Sequence, residues 1–398
     1  MKKKSLPVKG SVCLALVLAI LLLMTPFQAL AAASEFKWPR ELRIATAMVG
    51  ATAHMTATAW TPVLEASTGM KVRIIPEGSL AIKSGWLKSG MVDMMWDAQS
   101  EVGYFMPMAK GKHASRGGGP HQYRVIWTEY LSYYGFAVRG DTDIKTIRDI
   151  KPTHVFGRRP TIVALDAGPL GLMKWIGVEC KGREYATISA QMADFIAGKV
   201  DIVYVGPPDP KVVEAASSPR GLRFIDLPYD EDPEGAQRFE EIRGPTVWGK
   251  ATRGVKEAIG VKMLISPRFM YSRADMDSEF VYQYVKWMDQ NFERYQDKFV
   301  TCETMSLKLF REQVDVIWLP LHEGTIRYLK EKGLWTAADD ARQKANVERL
   351  TKWVDAYKAA IAQADKKKIK IDPANKEWID FWAGFQKDLP VFGKKWKW

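Results

Sequence analysis

The 398-residue chain is poor in cysteine and histidine, with three of the first and five of the second. Cys13, Cys180 and Cys302 make no C-x-x-C pair, so a redox dithiol or zinc knuckle has no support. A Cys180–Cys302 bridge is not expected, because the two fall in different halves of the pattern described below. His54, His113, His121, His154 and His322 never recur at the spacing that puts two on one helical turn, and no metal site is implied. There is no G-x-S-x-G elbow. Gly117–Gly119, followed by Pro120, lacks the G-K-[ST] ending of a phosphate-gripping loop and reads as a flexible loop. Glu101, Glu129 and Asp166 are candidate acid–base carboxylates, yet no spacing pairs any two, and solvated surface acids are the commoner use. These absences argue against an enzyme and imply no cofactor.

What is present begins with Lys2, Lys3, Lys4 and Lys9, an apolar run over Val12–Met24, and small residues over Ala29–Ala33 with A-x-A patterns. That layout predicts a secretory signal peptide over residues 1–33 and a periplasmic location for the remainder; an uncleaved N-terminal anchor is the alternative. The residues before Cys13 form no lipobox. Beyond the leader no stretch approaches the roughly 20 apolar residues of a spanning helix. The remaining 398 − 33 = 365 residues suffice for two domains. No acid precedes Glu35, so the net charge of +12 falls to 12 − 4 = +8 without the leader lysines. The excess is spread out, with small clusters at Lys366–Lys368 and Lys394–Lys397, and argues against a nucleic-acid partner. It suits either an anionic ligand or an ordinary solvated surface.

The hydrophobic pattern predicts strands at Leu42–Ala45, Lys71–Ile75 and Met94–Ala98. Helices at Thr52–Ser67, stopped by Gly69, and Ala81–Lys88, ended by Gly90, alternate with them. That order predicts a mainly parallel sheet covered by helices. Val125–Thr128 and Tyr133–Val138 read as strands leaving this half. The order restarts with a strand at Thr153–Phe156, helices at Leu170–Val178 and Ala190–Ala197, and a strand at Ile202–Val205. Ser89–Met94 echoes Ala197–Ile202 at an offset of 201 − 93 = 108, each with a glycine suited to a left-handed helix cap. After Pro245 the chain returns, with a crossing strand at Lys262–Ile265. Helices follow at Glu279–Tyr295, capped by Asp275 or Asp277, then Ser306–Val314, Gly324–Glu331 and Ala337–Ala364. The stripe Trp378, Phe381, Trp382 and Phe385 reads as packing against a core.

From about Glu41 to Leu334 the chain resembles the TAXI class of TRAP-transporter solute-binding proteins. The carrying segments are L-R-I-A-T-A-M-V-G-A-T-A-H (42–54), P-E-G-S (76–79), L-K-S-G-M-V-D-M-M-W-D-A-Q-S (87–100) and G-D-T-D-I-K-T-I-R-D-I-K (140–151), with G-K-V-D-I-V-Y-V-G-P-P-D-P (198–210) and L-P-L-H-E-G-T-I-R-Y-L-K-E-K-G (319–333). The resemblance implies an α/β, two-lobed type II periplasmic-binding-protein-like fold with hinge strands. Here it is extended by extra C-terminal helices. Lobe I would comprise 34–138 plus 246–398, and lobe II 139–245. It implies capture of a small organic anion or amino-acid-like solute in an interlobe cleft and delivery to TRAP membrane permease subunits. A ligand-sensing subunit, or less readily a periplasmic enzyme, is the alternative. The sequence departs from the family at Ala53-His54, where an aromatic pair is usual. It departs again at Gly157-Arg158-Arg159-Pro160-Thr161, which replaces a small-residue turn. Pro160 has no N–H to offer an anion. Either the arginines supply the positive charge instead, or the anion site is lost.

Ligands of open α/β sheets bind beyond the carboxyl ends of the strands. That places Met48, Val49 and Gly50, with His54, in the first candidate loop, and Glu77, Gly78 and Ser79 in the second. Asp97 and Gln99 end the third strand, and Trp127 and Glu129 lie along the strand that leaves it. Arg159, Thr161 and Asp166 follow from the second half, with Tyr204, Gly206 and Asp209 at the end of its last strand. Ordinary turns, helix caps and core packing are the competing uses; Trp127 leans to core, and His322 to packing or capping a C-terminal helix.

Overall fold

β1 (Glu41–Thr46) buries Leu42, Ile44 and Ala45 and leads into α1 (Thr52–Thr68), which ends at Gly69 with φ 71°. β2 (Lys71–Pro76), α2 (Leu80–Ser89) and β3 (Met94–Ala98) complete the expected alternation, with β1 parallel to both β2 and β3. The structure is a computed structural model that describes residues 36–392; the expected leader lies outside the described residues. From Trp38 the chain forms one compact unit.

A short π-turn at Glu101–Phe105 precedes β4 (Tyr123–Arg139). This is one strand of 17 residues, not two shorter ones. The polar stretch that suggested a break is internal: Glu129, Tyr130 and Ser132 are all buried, and Arg268 meets the Glu129 carboxylate at 3.1 Å. β5 (Val155–Arg158), α3 (Val163–Ile176), β6 (Lys181–Glu184), α4 (Ile188–Ile196) and β7 (Ile202–Val205) form the second alternation. α3 starts at Val163, well before the expected Leu170; Pro169, which resembles a helix-start signal, lies inside the helix. α5 (Pro210–Ala216), β8 (Leu222–Ile225), α6 (Pro233–Arg243) and β9 (Val247–Lys250) lead back to β10 (Lys262–Arg273). β10 runs past the expected Ile265 because Pro267 does not end it. Opposite that proline, Leu131 N–H turns to Thr304 Oγ1 at 3.2 Å.

The sheet order is β2-β1-β3-β10-β4-β7-β5-β6, with β8 on β4 and β9 on β10. Its two halves repeat one plan: β5 is parallel to β6 and β7 as β1 is to β2 and β3, and an antiparallel long strand closes each set. The six-residue echo is structural. Gly90 (φ 76°) and Gly198 (φ 84°) both turn left-handed. Asp93 N–H donates to Arg43 O and Asp201 N–H to Val155 O, each at 2.9 Å. The same carboxylates accept from the backbone N–H of Arg43 and Val155, each at 2.8 Å.

The C-terminal helices are α7 (Ser278–Gln290), α8 (Phe292–Tyr295), α9 (Leu307–Val314), α10 (Glu323–Glu331), α11 (Ala337–Lys366) and α12 (Lys376–Gln386). α7 and α8 split at Asn291 where one helix was expected; Asp277 caps α7 and His322 caps α10. Cys180 and Cys302 are free thiols. Trp378 and Trp382 are buried, and their indoles donate to Ala114 O at 2.7 Å and Met108 O at 3.3 Å. The 117–119 loop is packed rather than loose. A Cβ on Gly119 would lie 1.9 Å from Tyr357 Cε1 of α11. Gly119→Ala must therefore displace that ring, and is expected to lower the urea-unfolding free energy by about 1–3 kcal/mol.

Candidate ligand-binding site

A cavity of about 250 Å³ lies at the carboxyl ends of the parallel strands of both halves. Six loops reach it, three from each half: 47–53, 77–78 and 98–101 after β1, β2 and β3, and 159–165, 186–189 and 206–209 after β5, β6 and β7. Tyr130, Ser132 and Tyr134 of β4 and Ser266 and Arg268 of β10 form its floor, and Arg243 enters from the end of α6. Its size is below the roughly 300 Å³ at which drug-sized pockets begin and suits a small metabolite.

Several contacts tie the halves across the cavity. Glu101, after β3, places Oε2 2.6 Å from Ala164 N and Oε1 3.2 Å from Val163 N, and so caps α3, whose N-cap Ile162 has no side-chain acceptor. His113 Nε2 holds the same Glu101 Oε1 at 2.8 Å, with both side chains buried. Arg243 Nη2 donates to Ser100 Oγ at 3.1 Å.

The floor carries a buried charge chain. Lys83 Nζ is 2.7 Å from Asp97, whose other oxygen is 3.5 Å from Arg268, which in turn contacts Glu129 at 3.1 Å. Burial raises the Asp97 pKa, but Lys83 and Arg268 outweigh it and the net shift is downward. Burial pushes the Glu129 carboxyl up to about 7 against the pull of Arg268. The sign of the linkage follows. The folded pKa of Glu129 lies above its ordinary 4.5, so the native state holds the proton more tightly than the unfolded chain. This group's stabilising contribution is full below about pH 4.5 and declines as pH rises to about 7. Glu129→Gln is expected to flatten the urea-unfolding free energy between those pH values.

Of the expected site residues, the structure brings Met48, Val49, Glu77, Gly78, Asp97, Arg159, Gly206 and Asp209 to the cavity. Gly50 turns the first loop with φ 81° without lining the cavity, and Ser79 is the N-cap residue of α2. His54 is half-buried on α1, where burial pushes its imidazole pKa down. Gln99 faces away, donating to Val316 O at 3.0 Å and accepting from Trp318 N at 3.3 Å. Trp127 donates to Met305 O at 2.9 Å in the core. Glu129 lies behind Arg268, and Tyr204 is buried in β7 against Tyr134 and Phe136. Thr161 is half-buried in the β5–α3 turn. The two arginines of that turn diverge: Arg158 pairs with Asp166 at 2.8 Å away from the cavity, whereas Arg159 lines it.

The sequence reading missed Lys83, Arg243, Arg268 and the 186–189 loop. β6 (KGRE) is exposed along its whole length, so no hydrophobic alternation marked the strand that delivers this loop. Lys83 and Arg268 lie in a helix and a strand interior, where a charged residue gives no periodic signal of facing inward.

Paired β-α-β halves joined by long crossing strands, with a cavity at their facing strand ends, define a two-lobed α/β binding-protein fold. Residues 44–333 match the NMT1-like family, and the chain belongs to it. No curated protein matches the chain. Among solved structures it is similar to "R. palustris Rpa4515 with adipate", at 12% identity and TM-score 0.48, over 66% of this chain and 88% of that one. It is similar also to MatC from Rhodopseudomonas palustris with bound malate, at 10% identity and TM-score 0.48, over 75% of this chain and all of that one. Among the described residues no helix is long and apolar enough to cross a membrane.

Proposed function

We propose that this protein is a periplasmic solute-binding protein that captures a small organic anion between two lobes, 34–138 plus 246–398 and 139–245, and delivers it to a TRAP-type permease. The sequence resemblance to the TAXI class supports the permease assignment. The single observation that carries the anion assignment is Arg159. It is only 8% exposed, lines the cavity, and makes one hydrogen bond, from Nη2 to Tyr204 O at 3.1 Å. Burial lowers its pKa, the mark of a guanidinium held in a poorly solvated place. The Asp209 carboxylate is within electrostatic reach of Arg159 but forms no salt bridge with it, and a ligand acid that forks onto the guanidinium recovers part of its burial cost.

The cycle is closure of the lobes on the solute. Contacts from both sides favour the closed form by their differential affinity. The cavity-bridging bonds from Glu101 and Arg243 belong to that closed form. The test is a thermal-shift screen of ligand-stripped protein against organic acids, amino acids and neutral analogues. An organic acid at a hundredfold excess over its Kd is expected to stabilise the protein by about 2.7 kcal/mol. Stabilisation by neutral analogues and by no acid would overturn the reading.

A further inference from the structure

The segment between the Glu101–Phe105 π-turn and β4 has an uncommon backbone. Ala109 is left-handed, with φ 46°, and Gly111 follows with φ 55°. A non-glycine residue at such a φ persists only where its surroundings impose it. Ala109 is buried, and the carbonyls around it show what imposes the turn. Met108 O accepts from the Trp382 indole at 3.3 Å and Ala114 O from the Trp378 indole at 2.7 Å. Ser115 O accepts from the Tyr357 hydroxyl at 2.8 Å. All three donors belong to α11 and α12, which lie beyond the residues 44–333 matched by the family.

His113 sits inside this pinned segment, and its side chain is buried. Nε2 meets Glu101 Oε1 at 2.8 Å, while Nδ1 is buried with no hydrogen-bond partner among the described residues. The ring is therefore placed by its backbone and by Glu101, not by a second polar contact of its own. Glu101 in turn reaches the Val163 and Ala164 N–H groups of α3 in the other half. A carboxylate that meets three directional donors at once tolerates little rotation. The imidazole at Oε1 limits that rotation and keeps Oε2 on Ala164 N.

We propose that the C-terminal extension braces the contact between the halves: Trp378, Trp382 and Tyr357 fix the segment that carries His113, and His113 orients the Glu101 carboxylate. These four are positioning residues, since none of them lines the cavity. The inference rests on the two-lobe reading above and adds a control over closure that the matched family region does not contain. The experiment is hydrogen–deuterium exchange of the ligand-stripped, full-length protein, read at the Val163 and Ala164 amides. It compares the wild type with Trp378→Phe/Trp382→Phe, Tyr357→Phe, His113→Leu and His113→Gln, and with the double tryptophan change on the His113→Leu background.

The double tryptophan variant keeps aromatic packing but loses both indole donors. It is expected to speed exchange at the two amides ~10-fold or more, and His113→Leu by a similar factor. Combining them is expected to add no more than ~2-fold to either alone, because both act through one contact. His113→Gln, whose amide still donates to Glu101, is expected to keep near-wild-type protection. Tyr357→Phe deletes a single hydroxyl, is expected to give ~3-fold faster exchange, and carries the test if the double variant does not fold. Val163 and Ala164 as protected in the brace variants as in wild type would overturn the proposal. So would full additivity with His113→Leu. Free exchange at both amides already in the wild type would overturn it too, while leaving solute capture to its own screen. The measurement needs no solute, so a protein that binds no acid still decides it.

Discussion

Glu101→Ala is expected to cost about 3 kcal/mol of folding stability, because it orphans several buried polar groups at once. The side chain is 1% exposed and its two oxygens serve two backbone N–H groups of α3 and the imidazole of His113. Ala164 and His113 are themselves buried, so those two donors have no water to fall back on. Loss of the contact also unfastens one half of the molecule from the other. Small-angle scattering of the ligand-free variant is therefore expected to show a larger radius of gyration than wild type. Glu101→Gln keeps one carbonyl acceptor and is expected to cost about half as much in urea unfolding. A variant as stable and as compact as wild type would show that the contact holds neither the helix nor the closed form.

The second large effect is on binding. Arg159→Ala is expected to weaken the tightest organic acid by ~100-fold, the loss that follows removal of a buried anchoring charge. The same substitution removes the burial cost of a guanidinium that makes no salt bridge but also the positive charge beside Asp209, so the ligand-free melting temperature is expected to change little. That contrast separates a recognition role from a structural one. A structural arginine would lower the ligand-free melting temperature and leave the ligand-induced shift in place. Arg158→Ala is the matched control: its guanidinium pairs with Asp166 away from the cavity, and acid binding is expected to persist.

Much of this architecture is legible in the residues because each half buries short apolar strands between helices with glycine stops. Gly69, Gly90 and Gly198 all adopt the left-handed turns expected of them, and Asp93 and Asp201 fasten the two halves alike. The failures share a cause, which is tertiary compensation of a local signal. Glu129 resembles a break in β4 until Arg268 is seen beside it. Pro169 and Pro267 resemble boundaries until their helix and strand are seen to continue past them. The 117–119 glycines suggest mobility until Tyr357 is seen pressed upon them. In the cavity, the loops after β1, β2, β3, β5 and β7 follow from strand order, and residues from all five reach it. Arg243 does not follow. It ends a polar helix, and only the return of that helix across the strand ends brings it beside Tyr204.

The most direct test of the central claim, that this cavity holds an organic anion against a buried guanidinium, is a crystal structure of the protein saturated with the acid giving the largest thermal shift. The expected result is one acid molecule in the 250 Å³ cavity with a carboxylate within hydrogen-bond distance of Arg159. An acid bound elsewhere on the surface, with the cavity holding only water, would contradict it.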